Sequence, residues 1–298
     1  MSLNVAVIGL GSMGYGMGLS CLRAGFTVHG FDLDEARMAA FQKEGGLVGP
    51  ISDVSSTLDA LIIVVLNADQ LAGVLFGEEG IVPQLKSGTV VIACATVPPE
   101  FAKEMEVRCA QSGIHYLDAP ISGGSAKAAK GALGIMASGS ADAFLAAEPI
   151  LDATAETVFR LGDAAGAGSA MKAVNQLLAG VHIATMAEAM TFGMTQGVSP
   201  DAFLAVISKC AGSSWMLENR APHVLAGDYT AHSQVNIWPK DLGIVLAAAE
   251  AVGFEAPITR TALEQYKEAV AMGLGAEDDA AVTKVYAERH GITLPKGN

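Results

Sequence analysis

The sequence predicts an α/β domain built on a doubly wound parallel sheet, followed by an all-α domain. Three observations carry that prediction. Short β-branched runs alternate with helical stretches through the first half of the chain. The first run leads straight into the glycine-rich segment "GLGSMGYGMG". Beyond Gly162 the buried runs stop and long apolar helical patterns take over. The expected boundaries are therefore 1–162 for the first domain and 163–298 for the second.

Each element follows from local pattern. "LNVAVI", residues 3–8, is short, β-branched and ended by Gly9, as a strand buried on both faces should be. A helix runs to about Ala24 and stops at Gly25. "TVHGFD" is a second strand ending at Asp32, and "LDEARMAAFQKEG" is a helix closed by Gly45. "ALIIVVL" (60–66) and "TVVIACA" (89–95) are two more buried strands, the latter followed by a helix from Pro98 to about Ser112. "IHYLDAP" reads as a strand end and "LGIMASG" as a further strand. In the second half a long helix spans about Gly168 to Gln196. "VSPDAFLAVISKC" opens on a Ser/Pro start signal, and "KDLGIVLAAAEAVG" is a helix with Gly253 after it.

Composition bounds the function. The 298 residues are 51% apolar and only 16% charged, which favours large buried cores over disorder. A net charge of −13 argues against a nucleic-acid binder, which needs a basic face. Cys21, Cys94, Cys109 and Cys210 are scattered without a C-x-x-C pair and read as buried free thiols in a reducing compartment. The start lacks a basic segment followed by a long apolar one, so a cytoplasmic protein without membrane attachment is expected. No metal-ligand pattern stands out.

Gly9, Gly11 and Gly14 fit G-x-G-x-x-G, between a strand and a helix. Gly9 permits the turn, Gly11 lets a pyrophosphate approach the backbone, and Gly14 lets helix and strand pack closely. The helix N-terminus offers N–H groups and partial positive charge to phosphates. Asp32, 18 residues beyond Gly14, ends the second strand. A carboxylate there can bond ribose hydroxyls and repels a 2′-phosphate, so NAD is favoured over NADP. Asn67, Gln70 and Thr96 lie at other strand ends, where either loop polar groups or ligand contacts are found.

Two further segments carry candidate chemistry. In "DAPISGGSAKAAKGALG" (118–134), Ser122, Gly123 and Gly124 form either a turn or an anion cradle of one hydroxyl and adjacent N–H groups. "GSAMKAVNQLLAGVHIATMAEAM" (168–190) is an apolar helix bearing Lys172, Asn175 and Gln176 on one face. Buried there, a lysine and two amides need partners. The alternatives are a solvated stripe and a catalytic patch in which a desolvated lysine near a second cation, Lys240 of "WPKDLGI", carries a proton. His182, ten residues on, points to a different side of the helix and reads as a core histidine.

With these segments in order, the sequence resembles the β-hydroxyacid dehydrogenase family, which includes 3-hydroxyisobutyrate, tartronate-semialdehyde and 6-phosphogluconate dehydrogenases. "GLGSMGYGM" is similar to its cofactor loop, "DAPISGG" to its substrate loop, "GSAMKAVNQ" to its catalytic-lysine helix and "KDLGI" to its late motif. "QLLAGVHIA", "SWMLENR", "GDYT" and "EDDAAV" resemble the L-threonate dehydrogenase branch in particular. The resemblance covers nearly the whole chain. It implies an N-terminal Rossmann domain that binds NAD, an all-helical domain for substrate and dimerisation, and a homodimer or homotetramer.

It also implies residue roles. Gly9, Leu10, Gly11, Ser12, Met13 and Gly14, with Asp32 and Leu33, would hold NAD. Leu66, Asn67, Gln70, Thr96 and Lys240 would border the same cofactor. Ser122, Gly123 and Gly124 would receive a substrate carboxylate, Asn175 and Gln176 its hydroxyls, and Lys172 would be the general acid/base. Three positions depart from common family patterns. Gln176 stands where many members have Asn, Ala95 where they have Ser, and Ala179 where phosphogluconate enzymes have Glu. The last, with no arginine cluster, disfavours a phosphorylated sugar acid.

The expected activity is NAD-dependent oxidation of a short hydroxy acid, foremost L-threonate to 2-oxo-tetronate. A 3-hydroxyisobutyrate or tartronate-semialdehyde/glycerate-type dehydrogenase is the nearest alternative. Imine reductases share the resemblance but usually lack the lysine. A non-catalytic NAD-binding interaction protein is the alternative of another class.

Overall fold

The structure is a computed structural model that describes residues 2–297. It divides into two compact units, Met1–Lys172 and Ala173–Asn298. The division falls inside the long helix, whose first turn is bonded to the end of a strand of the first unit.

In the first unit, β1 (Asn4–Ile8), β2 (Thr27–Phe31), β3 (Ala60–Ile63), β4 (Val90–Ala93) and β5 (His115–Asp118) form a parallel sheet in the order β2-β1-β3-β4-β5. Helices α1 (Gly14–Arg23), α2 (Glu35–Lys43), α3 (Ala68–Phe76) and α4 (Pro99–Ala110) connect them. Alternate strand residues serve two cores. Val5, Val7 and Ile62 pack on one face with Met17 of α1, while Ala6, Leu61 and Ile63 pack on the other with Leu71 and Met105. Such two-sided burial is why these strands read as unbroken apolar runs.

The later strands do not extend this sheet. β6 (Ile121–Ser122), β7 (Leu133–Ala137) and β8 (Ala155–Arg160) form a second sheet, with β6 antiparallel and β8 parallel to β7. "LGIMASG" is therefore a strand, as expected, but in a separate sheet. α5 (Gly124–Lys130) and α6 (Ala141–Thr154) complete the unit. α5 lacks an apolar stripe and α6 contains Pro149, so neither advertised itself by periodicity.

Gly16 and Gly18 extend the glycine run into α1. A Cβ on Gly16 would lie 2.6 Å from the backbone nitrogen of Ala129 in α5, and one on Gly18 would lie 2.7 Å from the Phe41 ring. α1 and α5 are further tied by Ser20 Oγ donating to the Ala128 carbonyl (3.1 Å) and by Arg23 donating to the Ala129 carbonyl (2.6 Å). The helix that starts at the cofactor-type loop thus rests on the helix that starts at Gly124.

α7 (Ala167–Thr195) carries the chain into the second unit, where α8 (Pro200–Ile207), α9 (Trp215–Ala226), α10 (Ile237–Ala251), α11 (Pro257–Ala271) and α12 (Thr283–His290) follow. Among the described residues the unit contains no strand, as expected. Its core gathers Ile183, Met186, Met190, Leu242 and Val285 around Trp238, which stacks on Tyr266 at 5.5 Å. Asp279, buried, pairs with Arg220 and accepts from Trp238 Nε1 (3.0 Å). Two expectations need correction. Cys210 is exposed, unlike the other three cysteines, because it falls in the turn beyond α8. His182 is half-buried and lines a groove of about 360 Å³ with Phe203 and Leu217, outside the core.

Candidate active site

The glycine loop has the shape that a pyrophosphate needs. Gly9 adopts φ +95°, and a Cβ there would collide with the Val64 carbonyl. Gly14 touches the Gly9 carbonyl so closely that it too excludes a side chain. Around Gly11, in contrast, the nearest group is the Arg37 guanidinium, 3.9 Å from where a Cβ would sit, so the backbone is open. Behind the loop, α1 has no side-chain cap and no acid in its first turn, leaving its positive end available to an anion. Ser12 is exposed and Met13 half-buried at that end, while Leu10 turns its side chain into the core.

Asp32 follows β2 and braces this loop. Its carboxylate accepts from Leu10 N (2.7 Å) and Asp34 N (2.9 Å), with Arg37 3.5 Å away. Partial desolvation raises the Asp32 pKa, but these donors outweigh it and hold the group below the ordinary carboxylate range. Leu33 beside it is fully exposed. The sequence reading missed Arg37, a cation near the carboxylate whose charge was to repel a 2′-phosphate.

The other strand-end residues are partly committed to structure. Asn67 caps α3, its Oδ1 accepting from Gln70 N (2.8 Å). Gln70 Oε1 returns the bond by accepting from Leu66 N (2.8 Å). The side chain of Leu66 is exposed. Thr96 is half-buried past the end of β4. Ala95, where a serine is common, is buried among apolar residues at 3% exposure.

The segment Asp118–Gly124 organises the opposite half of this unit. Asp118 ends β5 and is fully buried. Its Oδ2 accepts from Gly166 N (2.9 Å), Ser169 N (2.8 Å) and Ser138 Oγ (3.3 Å), and its Oδ1 from Ser169 Oγ (2.7 Å). Burial pushes the Asp118 pKa up, and those four donors only partly offset it. Three residues on, the Ile121 carbonyl accepts from Lys172 Nζ at 2.9 Å. Ser122 follows, half-buried, and then Gly123 (φ +131°) and Gly124 (φ +76°) turn the chain into α5. No atom lies within 4 Å of a Cβ position on Gly124, so the loop has room for a ligand. Lys172 itself is 9% exposed.

In the second unit, Gln176 is buried and Asn175 half-buried on α7. Asn175 Nδ2 donates to Gln176 Oε1 (2.9 Å), and Gln176 Nε2 donates to Asp241 Oδ2 (2.5 Å). Asp241 pairs in turn with Lys240 (2.7 Å) and is 2% exposed. The amides thus have the partners that burial demands. Asp241 lies in "KDLGI", where a single acid next to a lysine reads from sequence as an ordinary surface pair.

Family models match both halves of the chain: the NAD-binding domain of 6-phosphogluconate dehydrogenase over residues 4–162, and the NAD-binding domain of NADP-dependent 3-hydroxyisobutyrate dehydrogenase over 166–286. An L-threonate dehydrogenase from Cupriavidus necator is 48% identical over 296 residues, covering 99% of each chain. One from Escherichia coli K12 is 46% identical, covering 98% of this chain and 96% of its own. The crystal structure of a 3-hydroxyisobutyrate dehydrogenase from Salmonella typhimurium superposes with a TM-score of 0.90 at 43% identity, covering 95% of this chain and all of its own.

Proposed function

Because the chain belongs to the β-hydroxyacid dehydrogenase family, we propose that it oxidises the C2 hydroxyl of L-threonate to give 2-oxo-tetronate (2-dehydro-L-erythronate), with NAD as hydride acceptor. Support for the substrate comes from curated L-threonate dehydrogenases that are 44–48% identical to it over nearly full length. The observation that carries the chemistry is the Lys172 amine, nearly buried and held on the Ile121 carbonyl one residue before Ser122.

NAD, when bound, supplies a nicotinamide ring that accepts a hydride. The residues that would hold it are Gly9 to Gly14, Asp32 and Leu33, with Leu66, Asn67, Gln70, Thr96 and Lys240 along its length. Ser122 Oγ and the backbone at Gly123 and Gly124 bind the substrate carboxylate. Lys172 takes the hydroxyl proton as the carbon–hydrogen bond breaks, and returns it in the reverse reaction. Asn175 and Gln176 bind the remaining hydroxyls, with Gln176 held by Asp241. A polar group matched to a substrate hydroxyl penalises an acid that lacks that hydroxyl, which favours threonate over 3-hydroxyisobutyrate.

The protein acts in the cytoplasm as a homodimer or homotetramer. Met171, Val174, Leu178 and Phe192 of α7, 45–66% exposed, are apolar surface of the kind that assembly covers. α7 is long and apolar enough to cross a membrane by length and composition alone, yet its residues Ile183, Met186 and Met190 belong to the second unit's core. Steady, L-threonate-dependent growth of NADH absorbance tests the activity. Binding of NAD without any turnover would instead support a non-catalytic interaction protein.

A further inference from the structure

The carboxylate of Asp118 lies at the N-terminus of the helix that carries Lys172, and the reading of Lys172 as proton carrier does not use it. Asp118, Ser138 and Ser169 are 0%, 0% and 1% exposed. Asp118 and Ser138 are joined through the backbone by a reciprocal pair, Asp118 N to Ser138 O (3.0 Å) and Ser138 N to Asp118 O (2.8 Å). Their side chains then take the N–H groups of the helix start. Gly166 and Ser169 donate to Asp118 Oδ2, and Gly168 donates to Ser138 Oγ at 2.9 Å. These groups have no partner within a helix and would otherwise be buried unmet. An anion at this end is also favoured by the helix dipole.

The same chain segment fixes Lys172 at its far end. Asp118 holds the first turn of α7, Ile121 accepts from the Lys172 amine one turn later, and Ser122 begins the loop assigned to the carboxylate. A shift of α7 along its axis would have to break the bonds at Asp118 before it could move Lys172 relative to Ser122. Gly168 allows no slack either, since a Cβ there would collide with the Met136 carbonyl and lie 3.1 Å from Asp118 Oδ2.

We propose that Asp118, with Ser138 and Ser169, is a positioning clamp that sets the register of Lys172 against the Ser122–Gly124 loop. The proposal rests on the reading of Lys172 as the proton carrier. Asp118→Asn turns an amide group toward N–H donors, and Ser169→Ala removes one bond from the clamp. The expected result is a fall in kcat of about 10- to 100-fold for Asp118→Asn and a smaller fall for Ser169→Ala, with KM for NAD unchanged. The kinetic isotope effect on kcat, using substrate deuterated at C2, should rise toward its intrinsic limit as the chemical step slows. A merely structural role would lower the melting temperature and leave kcat per folded molecule and the isotope effect at wild-type values, which would overturn the proposal. If Asp118→Asn does not fold, Ser169→Ala carries the test alone.

Failure of the activity reading is separately visible. If the wild-type protein oxidises no hydroxy acid, the rate at which a small acylating reagent modifies Lys172, followed by peptide mass spectrometry, replaces kcat. A severalfold change in that rate in Ser169→Ala upholds the clamp, and an unchanged rate contradicts it.

Discussion

Lys172 Nζ donates a 2.9 Å hydrogen bond to the carbonyl of Ile121, the residue just before Ser122. A lysine assigned to proton transfer and a loop assigned to the carboxylate are thereby joined through one residue. Lys172→Ala should lower kcat by about 10²- to 10⁴-fold, the usual contribution of a placed acid/base, and leave NAD affinity nearly intact. Steady-state kinetics and a fluorescence titration with NADH check the two halves of that statement. Loss of NADH binding in step with kcat would place Lys172 in the cofactor site.

Arg37 changes what Asp32 can be asked to do. With its guanidinium 3.5 Å from Asp32 Oδ2, removal of the carboxylate leaves a cation beside the cofactor loop. Asp32→Ala should therefore lower kcat/KM for NAD and raise it for NADP, because an arginine there can accept a 2′-phosphate. The double variant Asp32→Ala with Arg37→Ala should lose the gain for NADP. Equal NADP kinetics in the single and double variants would remove Arg37 from the argument.

Gly16 is the contact on which α1 and α5 meet. A methyl group there must displace rigid backbone at Ala128 and Ala129. Gly16→Ala should destabilise the protein by about 1–3 kcal/mol through overpacking. It should also raise KM for the hydroxy acid more than KM for NAD, since α5 follows directly from Gly124. Thermal unfolding and the two KM values test this.

Stability should fall in acid. Burial raises the Asp278 pKa, but bonds from His223 (2.9 Å) and the N–H groups of His232 and Ala280, with Arg220 nearby, outweigh it and hold the pKa below the ordinary carboxylate range. Asp32 and Asp59 are lowered likewise, by neighbouring N–H groups and by Arg37 and Lys86. Groups depressed in the folded state stabilise it above their unfolded pKa, and that contribution fades as pH drops through about 4 toward the folded value. Asp118 and Asp279, raised by burial, run the other way. Asp278→Asn should therefore flatten the acid limb of the melting temperature plotted against pH. An unchanged slope would exclude Asp278 as a contributor.

Much of this was legible in the sequence because it rests on local pattern. β1, β3 and β4 announce themselves as apolar runs, since both faces of the sheet are covered there. Gly9 and Gly14 sit where a Cβ would collide with the Val64 and Gly9 carbonyls, and Gly11 leaves the backbone between them open. What stayed hidden depends on contacts distant in sequence. Asp118 and Ser169 lie 51 residues apart, and neither residue type signals burial. Asp241 meets Gln176 across 65 residues. The partner of Gly16, α5, is a short run of small residues with no periodic signal. Asn67 and Gln70 were seen at once, but their capping bonds became visible only with the start of α3.

The most direct test of the central claim is kcat/KM over a panel of short hydroxy acids, measured as NADH formation and repeated with NADP. L-threonate with NAD should give the highest value, with 2-oxo-tetronate identified as the product by mass spectrometry and formed in equal amount to NADH. A higher kcat/KM for 3-hydroxyisobutyrate or glycerate, or faster turnover with NADP than with NAD, would contradict the account.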